Sequence, residues 1–101
     1  KIFIGSQDDE KFLKDNIFQY GKFDLIMDDG SHKRLHQIKS FEILFNQVKS
    51  KGLYIIEDLH TSFNHEKRAI DYFLNLVNTL YEDSLIESID FYNKLCIIKK
   101  I

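Results

Sequence analysis

Short apolar runs alternate with longer stretches in which apolar residues recur every three or four positions, and that alternation predicts the fold. Lys1-Ile2-Phe3-Ile4 reads as a strand. Ser6-Gln7-Asp8-Asp9-Glu10 follows, with a capping side chain and acids in the first turn of a helix. That helix turns Phe12, Leu13 and Ile17 inward and stops at Gly21. Phe23-Asp24-Leu25-Ile26-Met27-Asp28 predicts the next strand, closed by Asp29-Gly30-Ser31. A second helix carries Leu35, Ile38, Phe41, Phe45 and Val48 at helical spacing and is expected to end near Gly52. Leu53-Tyr54-Ile55-Ile56-Glu57 is continuously apolar until its last residue, as a strand buried in a parallel sheet demands. An irregular stretch runs from Asp58 to about His65. A third helix then uses Ala69, Phe73, Leu76, Val77 and Leu80. Leu85 to Phe91, a turn at Tyr92-Asn93, and Leu95 to Ile98 predict an antiparallel hairpin.

The order β-α-β-α-β-α-β-β is that of an α/β domain, with right-handed crossovers and helices packed on a parallel sheet. Ligands in such sheets bind beyond the carboxyl ends of the strands, so the residues just after each strand matter most.

Composition narrows the partners. The chain of 101 residues is enough for one small domain, and 44% hydrophobic content, with nine Phe and five Tyr, supplies a core. Charged residues nearly cancel to a net charge of -2, which argues against nucleic acid as a main partner. Lys99 and Lys100 read as a solvated strand end. No apolar run approaches the roughly 20 residues that span a bilayer, and Lys1 to Gly5 lacks the pattern of a signal peptide. The single cysteine, Cys96, lies in an apolar run and reads as a buried strand residue. A cytoplasmic location is the expectation.

Three expected strand ends carry unusual polar groups: Gln7-Asp8-Asp9, Asp28-Asp29-Gly30-Ser31-His32, and Glu57-Asp58. Asp29, Glu57 and Asp58 would surround one cleft. Three carboxylates that close repel one another unless a cation lies between them. An all-oxygen set suits a hard ion such as Mg²⁺, and the absence of a thiolate cluster counts against structural zinc. An imidazole ordinarily titrates near neutral pH, so the side chain at His32 could take a proton from a hydroxyl held on the metal. Each residue also has a plain structural reading. Asp29 or Ser31 could simply cap the next helix, Glu57-Asp58 could be a solvated loop, and a lone His is more often surface or core. The combination at neighbouring strand ends favours chemistry. His36 lies four residues after His32, but no Glu sits beside His32 as the helical zinc pattern requires, and His65 reads as solvated. His60 is left between a substrate entrance and solvent.

Phe23 to His32, followed by Ser40-Phe41, Leu44-Phe45, Gly52 to Asp58 and Thr61-Ser62, resembles the macrolide-sugar O-methyltransferases of the mycinamicin and tylosin pathways. The same residues are similar to the bacterial family labelled cephalosporin hydroxylase or rhamnosyl O-methyltransferase. Gly5-Ser6-Gln7-Asp8-Asp9 with Phe12-Leu13 resembles a Gly-Asp-Gln-Ser-Asp segment of these enzymes, and the likeness runs from about Ile4 to Phe63. It implies a Rossmann-like class I fold using S-adenosylmethionine and Mg²⁺ to methylate a sugar or glycoside hydroxyl. It further implies that Asp29, Glu57 and Asp58 bind Mg²⁺, that His32 is the general base, and that Gln7, Asp8, Asp9 and Asp28 lie on the cofactor side.

By that resemblance, residues 1–101 form a single partial domain that starts at the family's third strand. The Gly-rich strand and loop of the cofactor site are then expected to be missing. An exposed apolar strand edge and self-association are expected in consequence. The alternatives are a non-catalytic methyltransferase remnant serving as a binding or assembly module, and a phospho-acceptor receiver domain. Against the receiver, Glu57-Asp58 follows the acceptor-like strand instead of preceding it.

Overall fold

The computed structural model of the protein describes residues 1–62, 64, 66–80, 82 and 85–101, with the backbone alone at Ser62. Among these residues the regular elements are α1 (Glu10–Asn16), β1 (Phe23–Asp28), α2 (Arg34–Leu44), β2 (Val48–Glu57), α3 (Ala69–Asn75), β3 (Ile86–Tyr92) and β4 (Leu95–Lys100). Single 3₁₀ turns extend α1, α2 and α3, and another follows β2 at Leu59–Ser62. The sheet order is β1-β2-β4-β3, with β1 parallel to β2 and the remaining pairs antiparallel.

Local signals set the ends. The Asp9 carboxylate accepts the Phe12 N–H at 3.1 Å and caps α1, a contact worth ~1 kcal/mol in typical helices. Gly21, at φ 79°, stops the turn after α1 in a conformation that costs glycine little. Lys94, at φ 66°, makes the hairpin turn between β3 and β4.

Tyr54 and Ile56 of β2 and Cys96 and Ile98 of β4 point to one face of the sheet and are fully buried. Phe41 of α2 lies over them. Its ring meets Tyr54 edge-on at 5.2 Å and Phe73 of α3 at 5.4 Å. Burying a side chain such as Phe73 contributes about 1.5–3 kcal/mol. Burial also pushes the Cys96 thiol up to about 12, as befits a core residue. Leu25 and Met27 alternate with Ile26 and Asp28, so they face the other side, where they are 49% and 52% exposed. Among the described residues, β1 lies at the edge of the sheet.

Several details differ from the pattern-based reading. Lys1 to Ile4 is not a strand; Ile2 and Ile4 are 90% and 95% exposed. A short apolar run becomes a strand only by pairing, and no described strand lies beside it. Helix α2 ends at Leu44, and Val48 belongs to β2, where it pairs with Phe23. Gly52 is therefore not a helix stop. It lies against the backbone where the register of β1 and β2 shifts, and an added Cβ would meet Asp24 O at 2.8 Å. Leu35 is exposed, not turned inward. Lys100 is not simply solvated: its ammonium donates to Val48 O at 2.8 Å and lies 5.4 Å from the Phe45 ring centre. The mixed sheet also sets the receiver reading aside, since that reading rests on parallel β/α alternation. No helix among the described residues is long and apolar enough to cross a membrane.

Candidate functional site

The carboxyl ends of β1 and β2 lie side by side because the two strands are parallel neighbours, with Asp28 opposite Ile56. Residues that follow in each strand, Asp29 and then Glu57-Asp58, thereby meet. Asp29 and Glu57 come within hydrogen-bond reach of each other. That contact, then the charge of Asp29, holds the Glu57 carboxyl above its usual range, with the charge of Asp58 adding to the effect. Asp58 turns toward His32, whose Nε2 lies 3.3 Å from Asp58 Oδ2. Among the described residues, no three acidic, imidazole or thiol groups converge as a ready metal cage. The site is instead two linked pairs, Asp29 with Glu57 and Asp58 with His32.

Backbone hydrogen bonds hold these loops in place. Asp58 has φ 57°, a left-handed conformation uncommon outside glycine. Gln37 of α2, 1% exposed, donates from Nε2 to Glu57 O at 3.2 Å and Asp58 O at 3.4 Å, and so fixes the turn. The Thr61 hydroxyl lies 2.8 Å from His32 O and 2.9 Å from Asp58 O, linking the loop after β1 to the loop after β2. The imidazole of His60 is partly buried in the same turn, with Nδ1 lacking a partner among the described residues. His65 and Phe63 lie outside the described residues.

The residues expected on the cofactor side are placed as follows. Asp28 is 9% exposed; burial raises its carboxyl above the usual range, opposed by hydrogen bonds from Gly30 N–H and from Gln7. Gln7 Nε2 lies 3.2 and 3.1 Å from the two Asp28 oxygens. Asp8 accepts a hydrogen bond from the Ser6 hydroxyl, which chiefly holds its carboxyl below the usual range, and lies 3.3 Å from His36 Nε2. Asp9 caps α1. An open cleft of about 350 Å³ runs past Gln7, Asp28, Asp29, Gly30, Ser40 and Tyr54. The Tyr54 hydroxyl is buried beside it with no partner among the described residues, and burial together with the Asp28 charge holds it firmly neutral. A larger, apolar cleft of about 570 Å³ lies between α1 and the edge of β1, and none of the site carboxylates lines it.

Sequence reasoning missed Gln37 and the inward role of Gln7. Gln37 shares the helical spacing of the buried Ser40 and Phe41, which was the available signal. Gln7 offered no comparable signal, because its partners are 21 to 33 residues away.

The chain superposes on the MycE methyltransferase of the mycinamycin pathway, solved with Mg and SAH, at a TM-score of 0.89 and 26% identity, covering 99% of this chain. The fold is that of a class I methyltransferase. A second MycE structure, with Mg, SAH and mycinamycin VI, matches equally at 0.89 with 27% identity. In sequence, the chain is 48% identical over 59 residues to 8-demethyl-8-(2-methoxy-alpha-L-rhamnosyl)-tetracenomycin-C 3'-O-methyltransferase of Streptomyces olivaceus. It is 46% identical over 59 residues to mycinamicin VI 2''-O-methyltransferase of Micromonospora griseorubida, and 45% over 60 residues to demethylmacrocin O-methyltransferase of Streptomyces fradiae. The chain is thus similar to macrolide and other sugar O-methyltransferases, as the motifs implied. These alignments take in about 58% of the chain but only 15% of the relatives' length, and the superposition covers 32% of the MycE chain. No protein-family profile matches the chain.

Proposed function

We propose that this chain is the metal- and base-bearing part of an S-adenosylmethionine- and Mg²⁺-dependent methyltransferase that acts on a sugar hydroxyl. The observation that carries the reading is the contact between Asp29 and Glu57 beside the Asp58–His32 pair at adjacent strand ends. Glu57 holds its proton more tightly because its carboxyl hydrogen-bonds to Asp29 and because two carboxylates pressed together repel when both are ionised. Their all-oxygen donors fit Mg²⁺, an ion that takes one or two carboxylates and keeps several waters. We assign Asp29, Glu57 and Asp58 as the residues that hold it. A Mg²⁺ ion held by these residues would supply Lewis-acid activation of the sugar hydroxyl.

His32 takes the hydroxyl proton. Its Nε2 lies 3.3 Å from the Asp58 carboxylate, which sets a negative charge beside the imidazole. S-adenosylmethionine supplies the methyl group. Gln7, Asp8, Asp9 and Asp28 form the cofactor side, where the buried, unpartnered Tyr54 hydroxyl offers a further hydrogen-bonding group to the cleft. Residues 1–101 are, on this reading, one partial domain, and the rest of the cofactor site is carried elsewhere.

The test, made with the complete cofactor site present, is transfer of a labelled methyl group from S-adenosylmethionine to a panel of rhamnosyl and related deoxysugar glycosides. The expected result is transfer that needs Mg²⁺ and is lost in His32→Ala. A chain that binds neither S-adenosylhomocysteine nor a divalent cation would put the binding-module reading ahead.

A further inference from the structure

Gln7 reaches from the segment before α1 into the loop after β1 and satisfies several groups at once. Its Nε2 lies 3.2 and 3.1 Å from the Asp28 oxygens, 2.7 Å from Ser40 Oγ and 3.3 Å from His36 O. Its Oε1 accepts the Ser31 N–H. Only this orientation of the amide sets a donor against the carboxylate and an acceptor against the N–H. The Ser40 hydroxyl in turn lies 3.2 Å from Gln7 O, so the segment is held by its backbone as well. The two residues between these anchors are Asp29 and Gly30. A Cβ at Gly30 would run into Gln7 Oε1. Glycine therefore occupies position 30 because the amide lies against its backbone, and φ is not the reason.

We propose that Gln7 is the positioning residue of the Asp29 carboxylate: by clamping Asp28 and Ser31 it fixes the loop from which Asp29 meets Glu57. Groups that orient a ligand side chain without touching the metal commonly change metal affinity by about 10–100-fold when removed. The proposal rests on the metal reading above but is measured separately from it.

Two readouts are taken on the parent chain, Gln7→Ala, Gly30→Ala and the Gln7→Ala/Gly30→Ala double variant. One is amide hydrogen exchange at Ser31, which needs no metal. The other is Mn²⁺ affinity, with Asp29→Asn as the blank. Gln7→Ala is expected to expose the Ser31 amide to exchange while β2 amides keep their protection, and to weaken Mn²⁺ about tenfold. Gly30→Ala is expected to behave alike. The double variant should lose no more than Gln7→Ala alone, because the atom that Cβ would strike is gone. A plain structural role would instead lower protection throughout and make the two losses add. If Gln7→Ala does not fold, Gln7→Met, which keeps the length and drops the polar atoms, is read in its place. Unchanged Ser31 exchange in the folded Gln7 variant overturns the proposal. A parent chain that binds Mn²⁺ no better than Asp29→Asn overturns the metal reading, and Ser31 exchange then decides the clamp alone.

Discussion

His32 Nε2 lies 3.3 Å from Asp58 Oδ2, joining the loop after β1 to the loop after β2. Neither residue is near the other in sequence, and the Thr61 hydroxyl reinforces the link from the backbone side. In the proposed reaction this pair is the proton acceptor and its orienting partner. His32→Ala should lower single-turnover methyl transfer by roughly 10²–10⁴-fold, the usual contribution of a positioned base. Mn²⁺ affinity should be little changed by that variant. Equal losses in both quantities would mean that His32 acts through the metal site.

The raised Glu57 carboxyl gives a signed pH dependence. A carboxyl whose folded pKa lies above its unfolded value makes the folded chain bind the proton more readily. Stability therefore falls as pH rises from about 4.5, the ordinary glutamate value, through the raised one. Metal binding runs the other way. A cation competes with the Glu57 proton, so Mn²⁺ affinity should climb as pH rises through the same window, and Glu57→Gln should remove the step. Affinity measured against pH, with parent and variant side by side, checks it.

Gln37 offers a stability test. Gln37→Leu keeps the volume but leaves the carbonyls of Glu57 and Asp58 without their buried donor. The expected cost is about 1–3 kcal/mol in urea unfolding, with weaker Mn²⁺ binding because the Glu57-Asp58 turn loses its hold. A variant as stable as the parent would mean that water or another donor replaces the amide.

Gly52→Ala tests the β1–β2 junction. The new Cβ would lie 2.7 Å from Val48 Cγ1, 2.8 Å from Asp24 O and 2.9 Å from Lys49 O. Two of these neighbours are backbone atoms that cannot swing away. Overpacking of this kind typically costs about 1–3 kcal/mol, and a thermal melt should show it.

Much of this fold was legible because periodicity reports burial. Phe41 and Phe73 were placed inward by helical spacing and Tyr54 and Cys96 by the apolar runs they lie in, and all four are buried. The strand at Lys1 to Ile4 was misread because an apolar run states a preference and pairing makes the strand. Val48 was assigned to a helix because its spacing from Phe45 fits one, whereas its pairing with Phe23 puts it in β2. At the site, the Asp-Gly-Ser-His and Glu-Asp runs exposed the acidic and imidazole groups directly. The side chains that hold them, Gln7, Gln37 and Thr61, were harder to find. Their partners are backbone groups and distant loops, which no local pattern encodes.

The central claim is that Asp29, Glu57 and Asp58 hold a divalent cation. Mn²⁺ titration followed by electron spin resonance, on the parent chain and on Asp29→Asn, tests it most directly. The account predicts specific binding in the parent that Mg²⁺ displaces and Asp29→Asn abolishes. Equal binding by the two proteins would contradict it.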